Sequence, residues 1–225
     1  KENAPMLLRL GALPAMWGWG IDFVRNCSPE RYRKAAAVNV RLANHTLSLM
    51  AGVRADSGVT YDLMQNGTLK IYTKREAFDA NVAESERQRD VGLIFEPVGP
   101  RRCVEIEPAL GRIEHTLVGG IYAPPDEHGD CHKFAVGLRK FCSDKLGVTF
   151  HFNTDIRKIE RSGDRVTGVE TSKGTMTGDA YVAALASYAP ALLRPLGVRV
   201  SIYPAKGVTV TVPDTAWPEG PKVPI

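Results

Sequence analysis

An α+β architecture, with helices packed on a mixed β-sheet and a separate β-meander, follows from three features of the sequence. Apolar residues recur at spacings of three and four in residues 28–57 and again in 131–146, the period of a helix with one buried stripe. Short β-prone runs separated by tight-turn sequences follow in residues 148–186. No Gly-rich strand–turn–helix motif of the βαβ kind occurs in the 225 residues.

The length allows one large domain or two small ones. Net charge is +4, with acidic and basic residues mixed along the chain. The basic runs at residues 31–34 and 101–102 are short and read as solvated surface, so nucleic acid is not an expected partner. Cys27, Cys103, Cys131 and Cys142 form no CxxC pair and no disulfide framework, which points to a reducing, cytoplasmic setting. No signal peptide is visible, and Lys1 is not a start methionine, so a preceding segment is expected.

Residues 7–24 are rich in apolar side chains, including Trp17, Trp19 and Phe23. Arg9, Pro14 and Asp22 interrupt them, which argues against a membrane span. Tryptophan suits a membrane–water boundary, so interfacial contact stays open; a buried helix is the expected outcome. Ser28-Pro29-Glu30 is then a helix start, with a capping serine, a proline in the first turn and a glutamate at the positive end of the dipole. Tyr32, Ala36, Val40, Ala43, Leu47 and Met50 form its apolar stripe, and Gly58 follows its end.

Residues 59–63 and 69–72 flank Gln65-Asn66-Gly67, and Asn-Gly is a strong hairpin signal. Thr73-Lys74-Arg75-Glu76 has the form of a capping box, predicting a helix to about Asp90 that stops at Gly92. Pro97, Pro100 and Pro108 make residues 96–111 mostly loop, with room for one helical turn. Residues 118–122 read as a strand. Phe134, Leu138, Phe141 and Leu146 mark a helix capped by Asp130 and ended by Gly147. Strands are expected at 148–152, 156–161, 165–171 and 181–186, with turns at Ser162-Gly163-Asp164 and Ser172-Lys173-Gly174. The apolar run from Tyr181 suits a strand covered on both faces, and a further strand opens at Tyr203.

Asp126-Glu127-His128-Gly129-Asp130-Cys131-His132 is dense in metal-ligand residue types, but its spacing matches no known zinc pattern. A polar loop closing onto a capped helix is the expected reading, and no metal site is assigned. There is no G-x-S-x-G elbow, and His45 and His115 have no evident catalytic partners. The cysteines read as packing residues. Gly18-Trp19-Gly20 and Gly119-Gly120 both lack the strand-before, helix-after context of a phosphate loop.

Several ordered segments resemble the D-amino acid dehydrogenase small-subunit family, flavoproteins of the D-amino acid oxidase-like superfamily. They are Arg25-Asn26-Cys27-Ser28-Pro29-Glu30-Arg31-Tyr32, Asn66-Gly67-Thr68-Leu69 and Gly119-Gly120-Ile121-Tyr122-Ala123-Pro124-Pro125-Asp126-Glu127-His128-Gly129-Asp130-Cys131. Residues 148–154, 179–188 and Tyr203-Pro204-Ala205-Lys206-Gly207 continue the likeness. The resemblance implies a central fragment of an FAD enzyme, without the N-terminal Gly-rich motif and the C-terminal part. It implies oxidation of D-amino acids to 2-oxo acids and ammonia by hydride transfer to flavin N5. Electrons would pass to a respiratory acceptor, with peripheral contact with the inner membrane left open. The fragment itself is expected to be inactive and without bound FAD. The alternative is a non-catalytic remnant acting as a binding or interaction module.

The resemblance also implies cofactor-binding residues. Asn153-Thr154-Asp155-Ile156 matches the family's N-T-x-[VI] pattern, which puts the Ile156 backbone at the adenine end of FAD. Ala184-Leu185-Ala186-Ser187-Tyr188 matches the strand beside the dinucleotide, with Ala186 in place of the family's glycine. Lys206 and Gly207 match the Pro-x-Lys-Gly strand start near the flavin ring, where a lysine would stabilise negative charge on the reduced flavin; an exposed strand-end lysine is the alternative. Catalytic residues are not assigned. The implied partition gives residues 1–122 and 196–225 to the substrate side and 123–195 to the nucleotide side.

Overall fold

The computed structural model describes Gly11, residues 13–205, Gly207 and residues 216–225. The described residues group into two compact units, Tyr32–Thr149 with Val210–Ile225 and Lys1–Arg31 with Phe150–Thr209. This grouping by contact is separate from the expected division into substrate and nucleotide sides.

Helix α1 spans Leu13–Asn26. It is not the buried helix the sequence led us to expect: Trp17 is 69% exposed and Val24 71%. Trp19 stacks on Phe23 at 5.2 Å, one turn away, and meets Tyr203 at 5.9 Å. Among the described residues no helix is long and apolar enough to cross a membrane.

Helix α2 spans Pro29–Ser57. Its start is as read, for the Arg31 N–H donates to Ser28 Oγ at 3.3 Å. The stripe is only half-covered: Ala36, Val40, Leu47 and Met50 are partly buried, while Tyr32 and Ala43 are exposed. Gly58 closes the helix with a φ of 64°.

The larger unit is built on a three-stranded antiparallel sheet in the order β1-β3-β2. Its strands are β1 (Thr68–Tyr72), β2 (Glu96–Val98) and β3 (Gly119–Ala123). The hairpin expected around Asn66-Gly67 does not form. Backbone from Met64 to Gly67 instead bonds to the loop before Cys131, through Met64 N–H to the His128 carbonyl (2.9 Å) and Gly67 N–H to the Asp126 carbonyl (3.1 Å). Residues 59–63 carry no strand, and β1 pairs with β3, Thr68 opposite Ala123.

Helix α3 spans Arg75–Glu86 and starts at Lys74 with no side-chain cap, so the capping box at Thr73 is not used. A 3-10 turn at Arg89–Val91 and a left-handed Gly92 end the segment where the sequence placed its end. The stretch read as mostly loop is more ordered than expected. It holds β2, helix α4 (Pro100–Ile106) and a 3-10 segment (Pro108–Thr116). Each proline sits where its missing N–H does least harm, in an edge strand or at a helix start.

Leu69, Val98, Cys103, Leu110, Leu117 and Val223 form the core of this unit. α4 can approach β3 because residue 120 is glycine: a Cβ there would lie 2.8 Å from Cys103 Sγ. Burial pushes the Cys103 thiol up, so it stays protonated and packs as a small apolar group. Helix α5 (Cys131–Leu146) is capped as read, Asp130 Oδ1 accepting from the Lys133 N–H at 2.8 Å, and Gly147 ends it in the left-handed region. Phe134 of α5 meets Tyr61 edge-on at 5.0 Å.

The chain's last residues enter this core. Glu107 is 1% exposed, and its Oε2 accepts from the N–H groups of Lys222 (2.6 Å) and Val223 (2.7 Å). Its Oε1 accepts from the Ala109 N–H at 2.9 Å. The Leu69 N–H on β1 donates to the Pro224 carbonyl at 2.9 Å, and the Asn66 side-chain amide to the Lys222 carbonyl.

The smaller unit carries the meander, an antiparallel sheet in the order β4-β5-β6. Its strands are β4 (Ile156–Ser162), β5 (Arg165–Thr171) and β6 (Gly174–Met176). Gly163 and Gly174 make the two expected turns, with φ of 61° and 108°. The α+β class stands, although every strand pair among the described residues is antiparallel where a mixed sheet was expected. Residues 148–152 and 181–185 are not strands. The second segment runs into a 3-10 turn (Ala186–Tyr188), then α6 (Ala189–Leu193) and a further turn (Arg194–Leu196). An apolar run of five residues has no periodicity that separates a strand from extended coil. Tyr203 likewise begins no strand among the described residues, and Lys206 lies outside them.

Replacing Glu107 with alanine leaves the buried Val223 N–H and the part-buried Lys222 N–H unpaired. We expect a loss of about 3 kcal/mol, with Glu107→Gln losing less. Urea melts of the two variants and the parent chain measure it. An unchanged midpoint for Glu107→Ala would show that the tail is held by its apolar contacts alone.

Candidate functional site

Two places concentrate the chain's polar chemistry. In the larger unit, the loop between β3 and α5 lies beside residues 61–68. Arg54 of α2 donates to both Glu127 and the Tyr61 hydroxyl. The hydrogen bond to Glu127, reinforced by that to Tyr61, holds the Arg54 guanidinium above its usual pKa, so it is a fixed cation. Gln65 donates to the other Glu127 oxygen at 3.0 Å, and the Thr68 hydroxyl to Asp126 at 2.6 Å.

Asp130 caps α5, and backbone N–H donation from Lys133 holds its carboxyl below the usual range. Lys133 in turn pairs with Asp62. The carboxylates that made this loop look like a ligand set are thus engaged in joining α2, β1 and α5. Sequence reading missed the Arg54–Glu127 pair, since 73 residues separate its members and no local pattern joins them.

In the smaller unit, the entry to β4 forms a concave face. Asn153 precedes the strand with φ of 51°, a left-handed conformation that asparagine tolerates. The Asp155 N–H donates to Ser172 Oγ at 3.0 Å, and the Ser172 N–H to the Asp155 carbonyl at 2.8 Å. These bonds lock the start of β4 onto the β5–β6 turn. A cleft of about 350 Å³ opens there, lined by His151, Thr154, Ile156, Val169, Met176 and Tyr181 among others. That volume lies at the small end of the range for ligand clefts, roughly 300–1,000 Å³.

Ile156 is therefore in this cleft, 42% exposed. β4 is an edge strand in the sheet order, so it has a backbone edge not paired within the sheet. Ala184 and Ala186 are exposed and Leu185 partly buried; none of the three lines the cleft, though Ala180 and Tyr181 of the same segment do. Gly207 is exposed, and Lys206 is outside the described residues. His151, Met176 and Tyr181 were not singled out from sequence. A cleft wall drawn from three separate segments leaves no spacing signature.

Ala186 has a φ of 45°. An L-residue there is strained by about 1–2 kcal/mol because Cβ crowds the following carbonyl. The left-handed turn carries the chain from the extended segment into α6, a geometry natural to glycine.

The FAD dependent oxidoreductase family model matches residues 16–224. A D-amino acid dehydrogenase from Phenylobacterium zucineum (strain HLK1) is 40% identical over 217 residues, covering 96% of this chain and 51% of the relative. One from Rhodopseudomonas palustris (strain HaA2) is 38% identical, covering 98% and 52%. The chain thus spans about half the length of these curated relatives. Among solved structures, L-proline dehydrogenase from P.horikoshii superposes with a TM-score of 0.62 at 19% identity, over 72% of this chain and 42% of that one. Glycine oxidase from Bacillus cereus ATCC 14579 gives 0.57 at 23% identity, over 71% and 42%. At these identities the two structures speak for the fold.

The left-handed conformation of Ala186 sets the sign of its replacement by glycine. In a strand, Ala186→Gly would lose about 0.5–1 kcal/mol of stability through added chain entropy. At positive φ the relief of strain dominates, and we expect a gain of about 1 kcal/mol. Thermal melting of the two versions decides the sign; a lower melting temperature for the glycine variant would rule out a strained residue 186.

Proposed function

Because the chain belongs to the FAD dependent oxidoreductase family, we propose that it is part of an enzyme oxidising D-amino acids to 2-oxo acids and ammonia. The observation that carries this reading is the near-complete coverage of the chain by D-amino acid dehydrogenases at 38–40% identity. Bound FAD would supply the hydride acceptor, and the protein's task is to place cofactor and substrate.

The cleft beside Ile156 supports an adenine-end contact. It joins an apolar wall to an edge strand, whose backbone can meet a base edge by hydrogen bonds. Ala184, Leu185 and Ala186 would pack beside the dinucleotide, and the left-handed turn at Ala186 supports a close approach of backbone there. Lys206 and Gly207 are proposed near the flavin ring from the family pattern. Residues 123–195 are centred on the nucleotide side in this scheme, with 1–122 and 196–225 on the substrate side.

A D-amino acid and a respiratory electron acceptor are the proposed partners of the whole enzyme. The exposed Trp17, Phe23 and Val24 on α1 support peripheral contact with a membrane interface, from the cytoplasmic side.

The pyrophosphate of a dinucleotide is commonly held by N–H groups at a Gly-rich turn and helix N-terminus. The 225 residues contain no such turn. Adenine and flavin contacts alone would then have to offset the ordering of a large ligand. We expect this chain by itself to bind FAD weakly and to turn over no D-amino acid. Titration with FAD, followed by flavin fluorescence, tests the first point: submicromolar binding would contradict it. Dye reduction with a panel of D-amino acids tests the second.

A further inference from the structure

A second cavity in the smaller unit is lined by cations. It measures about 250 Å³ and lies between β4 and the α6 segment. Arg157, Lys158 and Arg161 form one wall, and Leu192, Pro195 and Leu196 contribute to the other. It shares no lining residue with the cleft at Ile156.

Three cations around one small concavity repel each other, whereas six arginines elsewhere are neutralised locally. Arg25, Arg75, Arg87, Arg89, Arg101 and Arg102 each meet a carboxylate three or four residues away. Arg157, Lys158 and Arg161 make no ion pair with any described residue. The one acidic residue of β4, Glu160, places Oε2 3.2 Å from where a Cβ would stand on Gly168 of β5, and it does not line the cavity. Residues 189–205 add Arg194 and Arg199 and contain no aspartate or glutamate. Glu170 of β5 stands opposite Lys158 in the β4–β5 register, so the net positive charge of this wall comes from Arg157 and Arg161, with Ile159 beside them and an apolar wall facing them.

We propose that this cavity binds a phosphate ester carried on an apolar group. Arginine donates in a planar fork that matches phosphate oxygens, and Lys158 adds a point charge. Leu192, Pro195 and Leu196 offer apolar surface for the ester's organic part. The same chemistry is found in a free phosphorylated metabolite and in a phospholipid headgroup with its proximal chains.

Calorimetry of the purified chain at low salt tests this with three probes: inorganic phosphate, phenyl phosphate, and dihexanoyl phosphatidylglycerol below its micelle concentration. We expect at least one of the two esters to bind tenfold or more tighter than inorganic phosphate. Arg157→Ser/Arg161→Ser should weaken that ester tenfold or more. Arg101→Ser/Arg102→Ser, which removes the same charge from α4, should leave it unchanged. Circular dichroism of both variants checks that they fold; if the cavity pair does not, Arg157→Lys/Arg161→Lys keeps the charge, loses the fork, and should weaken binding severalfold. Phenyl phosphate as the tighter ester identifies a free metabolite. The lipid as the tighter ester, with co-sedimentation on phosphatidylglycerol but not phosphatidylcholine vesicles, identifies a headgroup. No preference for either ester over inorganic phosphate, or equal weakening by the cavity and α4 pairs, overturns the proposal.

Discussion

Glu107 accepts N–H groups from two regions more than a hundred residues apart in the chain, and the core of the larger unit closes around that meeting. A buried carboxylate is unfavourable unless its oxygens are hydrogen-bonded. Here three backbone donors satisfy it, and it fixes the position of Val223, a core residue. The Leu69 N–H, on the edge of β1 away from β3, is then bonded to the Pro224 carbonyl. The Glu107 clamp thus does two things at once: it fills the core and covers a sheet edge.

The same unit is laced together outside the core by the Arg54–Glu127 pair and the backbone bonds between Met64 and His128. The loop that carries these groups is polar because it connects a helix, a strand and a second helix, each end of which has donors or acceptors to satisfy. The smaller unit is organised differently. Tight glycine turns fold β4, β5 and β6 into a narrow sheet, and two bonds between Asp155 and Ser172, one of them accepted by Ser172 Oγ, hold the strand entry. Its two clefts both include residues of that sheet.

Local patterns in the sequence were enough to find α1, α2, α3, α5 and the two turns of the meander. Ser28 caps α2, Asp130 caps α5, and Gly92, Gly147, Gly163 and Gly174 adopt the left-handed conformations their positions required. What failed was non-local. Asn66-Gly67 has the chemistry of a hairpin turn, but the competing backbone bonds to Asp126 and His128 come from a segment about sixty residues on. Thr73 could cap α3, yet the N-cap position falls one residue later, on Lys74, and the helix begins at Arg75. Apolar content at 181–185 carries no information on whether neighbouring strands exist to pair with it. The α1 aromatics looked like core because composition records polarity and not the presence of a covering surface. For the candidate site, the Asn153–Ile156 pattern was legible, whereas His151, Met176 and Tyr181 join it only in three dimensions.

The central proposal is that the meander entry at Ile156 meets the adenine end of FAD and that the left-handed turn at Ala186 packs beside the dinucleotide. Photolabelling with an azidoadenine analogue of FAD at saturating concentration, followed by peptide mapping, addresses that claim most directly. The predicted result is label in peptides containing Ile156 and residues 180–188, suppressed by unlabelled FAD. Suppressible label confined to residues 61–68 and 126–133 of the larger unit would contradict it.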